Sequence, residues 1–285
     1  MLQLISKLQH NTYEKGEFSD EQSRDLEETI QSVKDFPWDA ERALTDIQLT
    51  GPSVTIQNND LNYLKLGLYF NGKFCVYYLD RDNHLYEYHA KTIDEACGLV
   101  ADFFNQTLDL SLFEKHFFNI GNKPHFITND FIYRFNSAKI FAVGLVVSVY
   151  LLFLFSVLFF TAIGKEKAMP VSVILTVVIT LGILIGYIAA TTMKGRHQYL
   201  QISKGKTQFL YGYDEQHIVV YDKADIKEIS YTLGGKGSVG NIKIIFKNGE
   251  FIRPANLLDG LTLLEKFPKA PKLVTNQRFG SFSRG

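Results

Sequence analysis

The segment Gly234–Gly240, GGKGSVG, is the nearest thing in this 285-residue chain to a phosphate-binding loop. A Walker-type loop needs Lys followed by Ser or Thr where a strand turns into a helix, so that backbone N–H groups and the ammonium surround the phosphates. That order is absent, and strand patterns lie on both sides, so the glycines are expected to form a hairpin turn. Lys236 of this turn, with Lys204 and Lys206 of another, would converge at one end of a curled sheet and meet lipid phosphates as point charges.

Other reactive types give weaker signals. His84 and His89 are five apart on a strand pattern and so point to opposite faces, which is wrong for joint metal ligation. His116 and His125 fall in an aromatic connector and are expected to satisfy local hydrogen bonds. The only cysteines, Cys75 and Cys97, have no metal spacing and make no disulfide framework. Asp80 with Asp82 reads as a turn, and Asp94 with Glu95 as a helix start. No nucleophile has an identifiable base. The chain is therefore expected not to be an enzyme, and no cofactor or metal is assigned.

The elements that would position these residues fall into an α+β part and a mostly-β part. In residues 1–139, Ser19 with Gln22 three residues on has capping-box spacing, and Leu26, Ile30 and Val33 then share one helical face. YLKLGLYF alternates Leu64, Leu66, Leu68 and Phe70 against Tyr63, Lys65, Gly67 and Tyr69. Asn71-Gly72 follows it and KFCVYYLD returns, which is a hairpin signature. Thr92 with Glu95 opens a second helix with an apolar stripe from Ile93 to Phe104. The expected order is helix, antiparallel meander, helix. Residues 194–268 read as short strands closed by one helix, DGLTLLEKF, which Pro268 stops. Residues 269–285 are basic, lack apolar periodicity and are expected to be disordered.

Between the two parts, Ile140–Ile163 and Val171–Met193 are runs of 24 and 23 residues without a charged residue, His, Asn or Gln. As helices each would rise about 35 Å against a hydrocarbon core of roughly 30 Å. The expectation is a transmembrane α-helical hairpin, 140–163 and 171–193, with TAIGKEKAMP as its turn. Lysines and arginines flank the outer ends, which places both termini in the cytoplasm. Gly144 with Ser148, and Gly182 with Gly186 and Ala190, are spaced for close helix packing, within one hairpin or across a homodimer.

Charge is divided by region: residues 1–139 carry a net −8 and residues 194–285 a net +7, although the whole chain sums to zero. A basic module beside an anionic leaflet and an acidic module facing a basic protein are the two partners this division suggests. No nucleic-acid partner is expected.

The spans followed by ADIKEISYT and NIKIIFKNGEFIRPANLLDGLTLLEKF resemble the bacterial pleckstrin-homology-like membrane proteins over roughly residues 140–268. The resemblance implies a C-terminal PH-like domain, carries over no binding residues, and leaves residues 1–139 unassigned. Together these readings predict a multidomain membrane protein of the bacterial cytoplasmic membrane: an N-terminal α+β domain, the hairpin, and the PH-like domain. The expected role is a non-enzymatic, membrane-anchored scaffold that contacts lipid headgroups or protein. The alternative is a toxin-neutralising (immunity) or regulatory protein whose acidic domain captures a partner.

Overall fold

The computed structural model describes residues 2–42, 49–117, 120–135, 137–163, 176, 178–183, 185–187, 197–214, 216–234, 238–254 and 257–275. The chain divides into two compact units. The first comprises Met1–Phe131 and Ser203–Thr207; the second comprises Ile132–Ile202 and Gln208–Gly285.

The first unit is built on a seven-stranded sheet. Its strands are β1 (Leu4–Gln9), β2 (Ser19–Arg24), β3 (Ser53–Gln57), β4 (Tyr63–Leu68), β5 (Phe74–Leu79), β6 (Leu85–Ala90) and β7 (Glu114–Lys115), in the order β2-β1-β3-β4-β5-β6-β7. Every pairing is antiparallel. Asn71 and Gly72, at φ 57° and 77°, turn β4 into β5. Helices α1 (Leu26–Asp35), α2 (Trp38–Arg42) and α3 (Ile93–Asn105) join the sheet in one core. There Val33, Phe36, Val100, Phe103 and Phe104 pack with Val54, Ile56, Leu64, Leu66 and Val76.

Local caps set the helix starts. The Thr92 hydroxyl accepts the Glu95 N–H at 3.2 Å, as its spacing predicts. The capping box of α1 lies elsewhere than expected. Ser19 to Arg24 is a strand, and Asp25 caps the helix: its carboxylate accepts the Glu28 N–H at 2.9 Å, while the Glu28 carboxylate accepts the Asp25 N–H at 3.1 Å. Ser19 lost because pairing with Leu8 commits it to the β1–β2 ladder.

The second unit begins with β8 (Ile132–Arg134), continues into α4 (Ser137–Ile163), and returns to β9 (Tyr199–Gln201), which pairs antiparallel with β8. Strands β10 (Gln208–Gly212) and β11 (Ile218–Asp222) complete the sheet β11-β10-β9-β8. A second sheet, β14-β13-β12-β15, uses β12 (Ile226–Leu233), β13 (Val239–Phe246), β14 (Phe251–Ile252) and β15 (Lys272–Val274). Helix α5 (Gly260–Glu265), capped by Asp259, contributes Leu263 and Leu264, and Phe267 follows, to a core with Leu200, Phe209, Ile229, Ile244 and Phe246. Phe267 meets Phe209 edge-on at 5.5 Å between ring centroids. Strand β15 lies in the stretch expected to be disordered and pairs parallel with β12.

The expected fold class and location are corrected here. Among the described residues, no helix is long and apolar enough to cross a membrane. Helix α4 forms where the first span was expected, and exposes Val146, Val149, Leu152 and Phe153. Most of 171–193 lies outside the described residues. Absence of charge favours an apolar helix, but does not by itself establish a span. The two-pass hairpin, the multidomain membrane fold class and the cytoplasmic-membrane location with both termini inside are therefore not retained. The described chain is mainly β-sheet.

The residues expected to pack the two helices are described in part. Gly144 is buried and Ser148 half-buried on α4. Gly182 and Gly186 are exposed with open space where a Cβ would stand, and Ala190 lies outside the described residues.

Candidate functional site

The face of the seven-stranded sheet opposite α1 and α3 carries polar residues in register. One row crosses six strands: Lys7 on β1, Thr55 on β3, Lys65 on β4, Tyr77 on β5, Glu87 on β6 and Glu114 on β7. The adjacent row on the same face runs Gln9, Ser53, Gly67, Cys75 and His89. Phe126 of the connector after β7 packs over this face against Tyr63, Cys75, Tyr77, Leu79 and Leu85. Lys65 was legible only as the polar half of an alternating strand, a position that ordinarily faces water.

Both lysines are enclosed; each is 1% exposed. The Lys65 ammonium donates to Gln9 Oε1 at 2.7 Å and to the His125 carbonyl at 2.9 Å. Lys7 donates to Thr128 Oγ1 at 3.0 Å and stands 4.0 Å from the Glu21 carboxylate. The Phe18 ring lies 4.4 Å from the Lys7 nitrogen and 5.6 Å from that of Lys65. Burial, and then the charge of Lys7, push Lys65 down to about 7; burial, partly offset by Glu21, pushes Lys7 down to about 8. Thr55 lies between them with a buried hydroxyl that has no hydrogen-bond partner among the described residues. A lysine near neutrality is a competent base or nucleophile, but this one is sealed from any substrate.

The rows end at a second polar group. Glu87 Oε1 lies 2.6 Å from His89 Nε2, and Oε2 lies 2.7 Å from His116 Nε2. Burial raises the Glu87 carboxyl, and hydrogen bonds from His89, Cys75 and His116 outweigh that, so it sits below the usual range. The neighbouring Cys75 thiol and Tyr77 hydroxyl are both pushed up, chiefly by burial. His84 is elsewhere, on Asp80 at 2.9 Å. Donors from two strands and a connector have no fixed spacing in sequence, which is why motif reading passed over this group.

Of the three lysines proposed for lipid contact, the structure describes two. Lys204 and Lys206 belong to the first unit, where the Lys204 ammonium donates to the Thr12 carbonyl and its backbone N–H to Glu17. Lys236 lies outside the described residues.

In the second unit β11 carries a run of exposed apolar residues, Ile218, Val219 and Val220. Among the described residues β11 is the end strand of its sheet and pairs with β10 alone. Beside it is a cleft of about 410 Å³, lined in part by Val219, Tyr221, Asp222, Asp225, Phe246 and Glu250. The one lysine of the cleft, Lys247, donates to the Ala224 carbonyl at 2.6 Å. Three carboxylates around one tethered ammonium make the cleft negative, which suits a cation and repels a phosphate.

Residues 132–267 match a family described as PH domain, so the second unit contains a PH-like domain. The match starts at β8 and ends at Phe267, just past α5. Among the curated proteins and the solved structures compared, none matches the chain.

Proposed function

We propose that the protein is a non-enzymatic binding module whose PH-like domain takes an extended segment of a protein partner along β11. The observation that carries this reading is the exposed, uncharged edge Ile218–Val220 beside a cleft bearing Asp222, Asp225 and Glu250. An unpaired strand edge offers backbone donors and acceptors to an incoming strand, whose alternate side chains then read the flanking pockets. The chemistry selects a segment with β-branched or aromatic residues and one Lys or Arg placed for the cleft. A PH-like domain suits this role, since such domains serve as binding or scaffold modules. Protein is favoured over lipid headgroups, because the cleft is acidic and the Lys204 ammonium is hydrogen-bonded to Thr12 in the first unit.

The test is selection from a random-peptide display library on the full chain, in parallel with sedimentation on vesicles of phosphatidylserine and phosphatidylcholine. Enrichment of apolar segments carrying one basic residue, lost in Val219→Glu, is the expected result. Vesicle binding that survives Val219→Glu, without peptide enrichment, would replace the protein reading with a lipid one.

A further inference from the structure

The polar face of the first unit ends in a group of metal-type donors. Cys75 Sγ, a carboxylate oxygen of Glu87 and a ring nitrogen of His89 lie within 4.8 Å of one another. The ladder brings them together: Cys75 stands directly opposite His89 across β5 and β6, and Glu87 is two residues before His89, hence on the same face. The second oxygen of Glu87 is held by His116, whose backbone N–H donates to the Leu85 carbonyl at 2.8 Å and so fixes the connector. Tyr69 stacks on His89, with centroids 4.0 Å apart at 24°, and fixes its ring plane. Cys75 is fully buried, whereas the side chains of His89 and His116 are 40% and 38% exposed, so the group is closed on one side and open to solvent on the other.

We propose that Cys75, Glu87 and His89 bind a divalent transition metal of the zinc class, with His116 as the positioning residue on Glu87. A sulfur, an imidazole nitrogen and a carboxylate oxygen form a borderline-soft donor set, which suits zinc and cobalt and not magnesium or calcium. Three protein ligands leave a fourth tetrahedral position on the solvent side, where a water completes the shell. The His116 bond to the second carboxylate oxygen matches the outer partner that metal-binding carboxylates and histidines ordinarily have. On binding, the Cys75 thiol gives its proton to solvent as the sulfur–metal bond forms, and His89 exchanges its contact with Glu87 for the ion. The other described donor group, Asp80, Asp82 and His84, differs in kind. There one Asp80 oxygen already accepts the N–H groups of Asp82 and His84, as in an ordinary turn.

The experiment uses the full chain without a polyhistidine tag, stripped with chelator and titrated with Co²⁺. The expected result is a thiolate-to-cobalt charge-transfer band in the near ultraviolet together with visible bands of a four-coordinate ion, both displaced by Zn²⁺. Because Cys75 and Cys97 are the only cysteines, Cys75→Ser abolishes the charge-transfer band and Cys97→Ser keeps it. His89→Gln weakens cobalt binding about tenfold or more, and His116→Gln by about tenfold through loss of orientation; Asp82→Asn changes nothing. Saturating cobalt without a charge-transfer band, or a band that persists in Cys75→Ser, would overturn the proposal. If Cys75→Ser does not fold, His89→Gln decides, since that side chain is partly exposed: unchanged cobalt affinity in it would equally overturn the site.

Discussion

The buried Lys65 makes the stability of the first unit rise with pH, in a window its neighbours define. The ordinary lysine value of 10.5 falls to about 7 for Lys65 and about 8 for Lys7, mainly through burial. Between those values and 10.5 the unfolded chain holds protons that the folded chain has released. Stability therefore increases with pH across that interval, and the cost of a charged Lys65 is fully present below about pH 7. At about 1.36 kcal/mol per pH unit, the full gap for Lys65 is worth about 5 kcal/mol. Only part of it is accessible, because Cys75 and Tyr77 act in the opposite sense. Their folded values are raised, so they cost stability once their unfolded counterparts ionise near 9 and 10. From pH 7 to 8.5 the lysines act before those groups do, and the expected gain is about 2 kcal/mol, most of it from Lys65. Trp38, the single tryptophan, is buried in the first unit with its indole N–H on the Val33 carbonyl at 2.7 Å, and its fluorescence reports that unit's unfolding in urea. Lys65→Met removes most of the slope, although it leaves Gln9 Oε1 and the His125 carbonyl without their donor. Stability that is flat or falls from pH 7 to 8.5, or an unchanged slope in Lys65→Met, would refute the reasoning.

Further expectations follow from the same unit and the same fluorescence assay. Thr55→Val replaces a buried hydroxyl that has no partner among the described residues with a methyl of similar shape, and is expected to raise stability by about 1 kcal/mol. Gly205→Ala would place a Cβ 2.1 Å from the Phe18 carbonyl oxygen, which must move, at a cost of about 1 to 3 kcal/mol. Gly98→Ala, inside α3 with nothing within 4 Å of its new methyl, is expected to stabilise by about 1 kcal/mol and serves as the contrasting glycine.

Much of the local structure was legible because it depends on neighbours in sequence. Asn71-Gly72 adopts positive φ at both positions and returns β4 into β5, Thr92 caps α3, and Asp259 caps the closing helix. The strand-rich C-terminal pattern likewise led to the PH-like reading that the family match supports. Local reading failed where two local signals competed. Ser19 and Gln22 have capping-box spacing, but β1 recruits them into a ladder and Asp25 does the capping. The apolar stretch from Ile140 gave a helix, but among the described residues no helix is long and apolar enough to cross a membrane.

The candidate sites were largely illegible. Alternation along β4 determines that Tyr63, Lys65 and Gly67 share a face, and it says nothing of what covers that face. The covering comes from Phe126 and the His125 carbonyl, some sixty residues away, and it turns an ordinary surface lysine into an enclosed one near neutrality. Cys75 and His89 meet only through antiparallel register, and His116 joins Glu87 only because the connector pairs back onto β6. Sequence by itself determined the Asn71-Gly72 turn and the Thr92 cap, since hydrogen-bond geometry and side-chain periodicity act over a few residues. Which polar groups are buried together was decided by the tertiary structure, because desolvation and donor proximity arise only when distant strands take up their register.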